Sequence, residues 1–119
     1  MKQINHLRDT WETFNADYFR RELEPIRIMI KRSRRKDGHY EYRCRKNGTP
    51  IREELHRAVI VISEDLYKPA PDWGLIYGTL LHEMIHQYQT EVLNSDTDHG
   101  PIFKEMAETL EDATGYSVM

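Results

Sequence analysis

The sequence predicts an α+β domain in which an N-terminal helix is followed by a small antiparallel sheet with a basic hairpin and then by two further helices. Three observations carry this. Apolar residues recur at helical spacing at the start of the chain, alternate or cluster as β-branched runs in the middle, and return to helical spacing after residue 72. The 119 residues suit a single domain spanning 1–119. A chain of this length buries enough surface to hold a core without disulfides, which agrees with the one cysteine, Cys44.

Each element has its own signal. Ile4, Leu7, Trp11, Phe14 and Tyr18 step by three and four, which predicts a first helix to about Arg21, closed by Pro25. Ile26, Ile28 and Ile30 then alternate with Arg27, Met29 and Lys31, the pattern of a strand with one face on a core. Asp37-Gly38 reads as a tight turn, and Tyr40 and Tyr42 alternate beyond it, so residues 26–45 read as a β-hairpin. Asn47-Gly48 marks the next turn. Residues 58–62 are short and β-branched, a buried strand that Ser63 ends. Asp72 is placed to cap a helix over residues 73–91, where Ile76, Leu80, Met84 and Tyr88 recur every four residues and Leu81 and Ile85 widen the face. After a polar loop at residues 94–100, Pro101 opens a last helix carrying Ile102, Phe103, Met106 and Leu110. Trp11, Phe14 and Trp73 are core by periodicity, while His6, His39 and His56 fall in unrelated segments and read as surface histidines.

Seventeen basic and twenty acidic residues give a net charge of -3, which argues against a generally basic nucleic-acid binder. The distribution is uneven. Lys31, Arg32, Arg34, Arg35, Lys36, Arg43, Arg45 and Lys46 stand against only Asp37 and Glu41, so residues 31–46 carry +6 and the remainder -9. A polyanion facing the hairpin is the partner this asymmetry suits, and a merely solvated hairpin is the alternative. The longest unbroken apolar run, residues 58–62, is far short of a membrane span, and no apolar stretch of the kind found in secretory signals follows Lys2. With one cysteine, these features read as a cytoplasmic monomer.

Within the central helix stands His82-Glu83-Met84-Ile85-His86, the H-E-x-x-H pattern. Four residues advance a helix by about 400° and 6 Å, so both imidazoles lie on one face and can reach one ion. Zinc takes neutral imidazole nitrogens and, in catalytic sites, three protein ligands with a fourth position left for water. Glu83 beside that position is suited to accept a proton from the water as general base. The third ligand must come from elsewhere. His99, in the loop before Pro101, is the first choice; Glu105 is the strongest competitor, and Glu108, Asp96 and Asp98 also offer carboxylates. Val92 stands where the H-E-x-x-H-x-x-G-x-x-H arrangement needs histidine, which excludes that arrangement. Tyr77, Tyr88 and Tyr116 are candidate stabilisers of a developing oxyanion, with nothing in the sequence to choose among them.

Residues 80–86, Leu-Leu-His-Glu-Met-Ile-His, followed by Asp98-His99-Gly100-Pro101-Ile102-Phe103, resemble the SprT-like zinc metallopeptidase domain, a family that includes the Spartan proteases of DNA-protein crosslink repair. The likeness extends upstream to Phe14-Asn15 with Tyr18-Phe19, to the strand at residues 26–32, and to Val61-Ile62-Ser63, in the family's order. The resemblance implies a zincin-like minimal metalloprotease with one zinc per chain held by His82, His86 and His99, and with Glu83 as general base. It also implies a cleft open to flexible protein segments, commonly near DNA. Many members carry a cysteine-rich zinc ribbon, which has no counterpart among these 119 residues, so non-specific DNA contact would fall to the basic hairpin. The resulting expectation is a zinc-dependent endopeptidase acting on protein or peptide substrates, including DNA-associated proteins. The alternative is a DNA-associated binding module with a structural zinc and little or no peptidase activity.

Overall fold

Five consecutive buried residues form the middle strand of a three-stranded sheet in the computed structural model, which describes residues 2–33, 35 and 37–119. In chain order the elements are α1 (Lys2–Tyr18), β1 (Arg27–Lys31), β2 (Gly38–Glu41), β3 (Val59–Ser63), α2 (Trp73–Glu91) and α3 (Pro101–Thr114), with short 3₁₀ helices at Arg52–Arg57 and Glu64–Tyr67. The class is α+β as expected. The sheet, however, is mixed and not antiparallel, and the expected hairpin does not form. The strand order is β1-β3-β2, with β1 parallel to β3 and β2 antiparallel to it.

The physical reason lies in the side chains. β3 has no charged residue and is buried throughout, so its stable place is the centre, where both of its edges are hydrogen-bonded. β1 and β2 carry Arg27, Lys31 and Glu41 on exposed positions and serve as edges. Gly38 opens β2 and is not part of a tight turn; a Cβ there would lie 2.6 Å from the Val61 carbonyl oxygen and 2.9 Å from Thr79 Cγ2. Glycine is needed for that close approach of strand to helix.

The first helix stops at Tyr18, three residues short of the expected end. Arg20 and Arg21 adopt φ values of 54° and 59°, turning the chain left-handed well before Pro25. Buried Asn15 holds this reversal, donating to the Leu23 carbonyl at 3.0 Å and accepting from Leu23 N at 3.2 Å. Asp72 caps α2 by accepting from Leu75 N, and Pro101 opens α3, both as the sequence predicts. Trp73 is not core: it is 36% exposed at the start of α2, stacked on Tyr77. Ile102 is likewise outside the core at 58% exposure.

The core joins Leu7, Trp11 and Phe14 of α1, Ile28, Ile60 and Ile62 of the sheet, Leu80 and Met84 of α2, and Phe103 and Leu110 of α3. Buried Gln87 ties α1 to α2, accepting from Trp11 Nε1 and donating to the Glu24 carbonyl and to Glu91. Arg52 closes the far end of α2 by donating to the carbonyls of Thr90 and Glu91. Among the described residues, no helix is long and apolar enough to cross a membrane.

Candidate metal centre

Because α2 runs through the core with most of its surface covered, the polar residues of its middle turns are desolvated. Glu83 is 4% exposed and His86 7%, while His82 is half-buried. The three line a cavity of about 600 Å³ together with Gly38, His39 and Tyr40 of β2 and with His99 from the loop after α2. Val118 and Met119, from the segment after α3, border it as well.

The structure brings His82, His86 and His99 together. His99 Nε2 lies 3.1 Å from His86 Nε2 and 3.2 Å from His82 Nε2. Nitrogens bound tetrahedrally at zinc lengths of 2.0–2.1 Å stand about 3.3 Å apart, so the spacing fits. Proton positions sharpen the case. His82 Nδ1 is 2.7 Å from the Val118 carbonyl, which can only accept, so that nitrogen carries the proton and Nε2 presents a bare lone pair. His86 Nδ1 is 2.8 Å from Gln89 Oε1, whose amide is oriented by donating through Nε2 to the carbonyl and carboxylate of Asp98. His86 Nε2 is therefore a lone pair too. A single N–H on His99 Nε2 can serve only one of these two acceptors well, and a cation at the meeting point of the three satisfies all of them.

Burial holds both helix histidines in the neutral, ligand-competent form: it lowers the His82 pKa and drives that of His86 down to about 4, against the Val118 and Gln89 hydrogen bonds respectively. The same burial raises Glu83 to about 8, with the Arg35 charge pulling the other way. No hydrogen bond from a described residue stabilises the Glu83 carboxylate, so it is a strong proton acceptor when ionised.

Phe103 forms the floor. Its ring centroid lies 4.8, 4.9 and 4.7 Å from those of His82, His86 and His99, stacked on His86 and edge-on to the other two. The sequence marks Phe103 as a core residue of α3 and as the end of the Asp98–Phe103 motif, with no sign of its contact with the histidines, and it gives no direct sign of the partners on Gln89 and Val118. One indirect sign exists in Gly78, a helix-interior glycine: a Cβ there would meet the Ser117 carbonyl oxygen at 2.0 Å, so glycine is what lets the segment after α3 cross α2 one turn before His82.

Of the carboxylate candidates only Asp98 borders the cavity, and none is grouped with the histidines. Glu105 and Glu108 are exposed on α3 and Asp96 is exposed in the loop, while Asp98 accepts from Gly100 N and Gln89. Tyr77 and Tyr116 line a separate small cavity beside α1, and Tyr88 packs near Phe19, so none of the three tyrosines borders the metal cavity. His39 is no simple surface histidine: its Nδ1 is 2.8 Å from Ser33 Oγ and its Nε2 2.6 Å from Glu41, at the cavity wall.

Among the described residues, the basic side chains of the 31–46 segment fall at two ends of the sheet. Arg34 and Lys36 lie outside the described residues. Lys31, Arg32 and Arg35 are exposed at the end of the sheet where β1 finishes opposite Ser63, with Arg35 reaching the cavity. Arg43, Arg45 and Lys46 are exposed beyond Glu41, which pairs with Val59 at the opposite end of β3. The two groups therefore lie at opposite ends of β3, four residues or roughly 13 Å of strand apart.

Comparison with known families gives one finding: the model of the SprT-like family matches residues 7–119. Among curated proteins no match is found.

Proposed function

The chain belongs to the SprT-like family, with a metallopeptidase-like fold and three histidines close enough to hold a metal ion, and from this premise we propose that it is a zinc-dependent endopeptidase. The observation that carries the reading is the convergence of three imidazole Nε2 atoms beside a desolvated glutamate on one open cavity. His82, His86 and His99 would hold one zinc ion, which when bound supplies Lewis acidity toward a peptide carbonyl and acidifies water. Glu83 takes a proton from the attacking water on its carboxylate oxygen and passes it to the departing amine nitrogen. Its burial makes the carboxylate a better base for the first transfer, and the amine nitrogen, far more basic than a carboxylate once the C–N bond breaks, takes the proton in the second. Val118 and Gln89 keep the two helix imidazoles in the tautomer that offers Nε2.

β2 is an edge strand, and its residues Gly38, His39 and Tyr40 border the cavity, so an extended peptide has a free strand edge to lie along. The substrates we assign are flexible protein segments, with DNA-associated proteins in the cytoplasm as the target class. The support for that target is charge: Lys31, Arg32 and Arg35 at one end of the sheet, and Arg43, Arg45 and Lys46 at the other, suit salt-sensitive contacts to phosphates. A structural zinc would call for a fourth protein ligand to close the site, whereas three imidazoles beside a large cavity leave a position open, which favours the enzyme over the binding module.

Glu83→Gln tests the reading. It is expected to lower cleavage of an unfolded protein substrate by about a hundredfold or more while zinc content stays near one per chain. Cleavage that survives the substitution, or a wild-type protein that binds zinc and cuts nothing, would overturn it.

A further inference from the structure

The two helix histidines draw their Nδ1 partners from different places. His86 uses Gln89, one turn along its own helix, whereas His82 depends on a backbone carbonyl 36 residues away. Val118 lies outside regular structure, so something must hold its carbonyl in place. Gly115, at φ 78°, ends α3 and reverses the chain, and Gly78 leaves room for Ser117 against α2. The Val118 side chain is buried in the core. The remaining tether is Glu111 on α3: its Oε2 accepts from Val118 N at 2.8 Å and from Met119 N at 3.1 Å.

We propose that Glu111, which touches neither the cavity nor any histidine, is a positioning residue for the metal centre, gripping the segment after α3 so that the Val118 carbonyl fixes the tautomer and direction of His82. The proposal rests on the metal-binding reading above. Two N–H groups converging on one carboxylate oxygen are charge-assisted hydrogen bonds, stronger and more directional than neutral ones. They also hold the Glu111 carboxyl below its ordinary range, so the grip extends to more acidic pH than an unpaired carboxylate would allow. Among the described residues, the carbonyl they orient has one side-chain partner, His82 Nδ1. Without that orientation His82 is free to exchange tautomers and to present an N–H, not a lone pair, to the ion.

Zinc affinity by competition with a chromophoric chelator, together with imidazole nitrogen NMR on the metal-free protein, tests this in wild type, Glu111→Gln and Glu111→Ala. Outer partners of metal ligands commonly govern ten- to a hundredfold in affinity, and an effect relayed through one peptide group falls at the lower end. Glu111→Ala is expected to bind zinc about tenfold more weakly, and Glu111→Gln, which keeps an acceptor oxygen without the charge, about threefold more weakly. In both, His82 should show mixed tautomers while His86, held by Gln89, keeps its proton on Nδ1. A general loss of structure would move both histidines together, and that result overturns the proposal, as does wild-type zinc affinity in Glu111→Ala. Should the alanine chain fail to fold, wild-type behaviour of Glu111→Gln in both readouts has the same force. A wild-type protein that takes up no zinc defeats the metal reading itself; mixed His82 tautomers in that protein would separately defeat the grip.

Discussion

The middle of α2 and the basic segment at residues 31–46 are the two regions of this chain whose side chains carry obvious chemistry, and they are built in opposite ways. On α2 the functional groups are buried or half-buried, and both histidines have an identified Nδ1 partner, His82 in Val118 and His86 in Gln89. In the basic segment the described lysines and arginines are exposed, and the chain that carries them divides around β3. A helix sets the distance and direction between residues i and i+4, so a motif written on it is already a geometry. A charge run along a strand and its flanks is only a composition until strand order is known.

Removal of the ligand furthest from the helix is the hardest strain on this contrast. His99→Ala should reduce zinc from about one per chain to a small remainder under chelator competition, since two imidazoles one turn apart make half a site. Elemental analysis reads it directly, and full retention would mean that a carboxylate such as Asp98 takes the third position. Gly78→Ala adds a methyl where the Ser117 carbonyl oxygen stands 2.0 Å away. The expected cost is about 1–3 kcal/mol of stability, read from the urea midpoint, with weaker zinc binding as the Val118 carbonyl is displaced. An equally stable alanine variant would show that the segment after α3 packs loosely.

A smaller effect comes from titration of the metal-free protein. Glu83 has a folded pKa raised from 4.5 to about 8, so the folded chain binds more protons than the unfolded one between those values and stability falls as pH rises through them. His86 acts in the opposite sense, its pKa lowered from 6.5 to about 4, so its contribution to stability rises with pH over that range and is complete above about 6.5. Between pH 6.5 and pH 8 the Glu83 slope therefore stands unopposed by His86, at up to about 1.4 kcal/mol per pH unit. Thermal melts of chelator-treated protein should show it, and Glu83→Gln should flatten it. The smallest change is expected on the other side of the comparison: alanine at Arg43, Arg45 and Lys46 together should move stability by no more than about 0.5 kcal/mol per site. The same triple variant should lower the salt dependence of binding to duplex DNA by about 0.9 for each phosphate that the protein no longer neutralises. An unchanged salt slope would remove this group from the nucleic-acid argument.

How far the sequence could be read follows from the same contrast. The helix over Trp73–Glu91, its Asp72 cap, the placing of His82 and His86 on one face and the nearness of His99 to both were legible, because each depends on local spacing or on a short loop. The hairpin was not, since period-two alternation tells which face of a strand is buried and nothing about which strand lies beside it. Trp73 obeys the helical period, yet it sits in the first turn, where α2 has not entered the core. Glu111, Gln89 and Phe103 serve the site through contacts made only after folding. Of the residues that support the site, only the mid-helix glycine Gly78 left a trace in the sequence, as a residue whose helix propensity argues against its position.

Gln89 joins the helix of the site to its loop. One side-chain amide fixes the proton on His86 and, through Asp98, anchors the loop that delivers His99. If that loop lifted away, Gln89 would lose the Asp98 acceptors of its Nε2 while staying beside His86 on α2, so His99 would leave and the two helix imidazoles would keep their places. The same loop is also fastened by Ser95, which donates to the Gln89 carbonyl, and by Thr97 N, which donates to Tyr42, so the position of His99 rests on contacts to both α2 and the sheet side of the cavity.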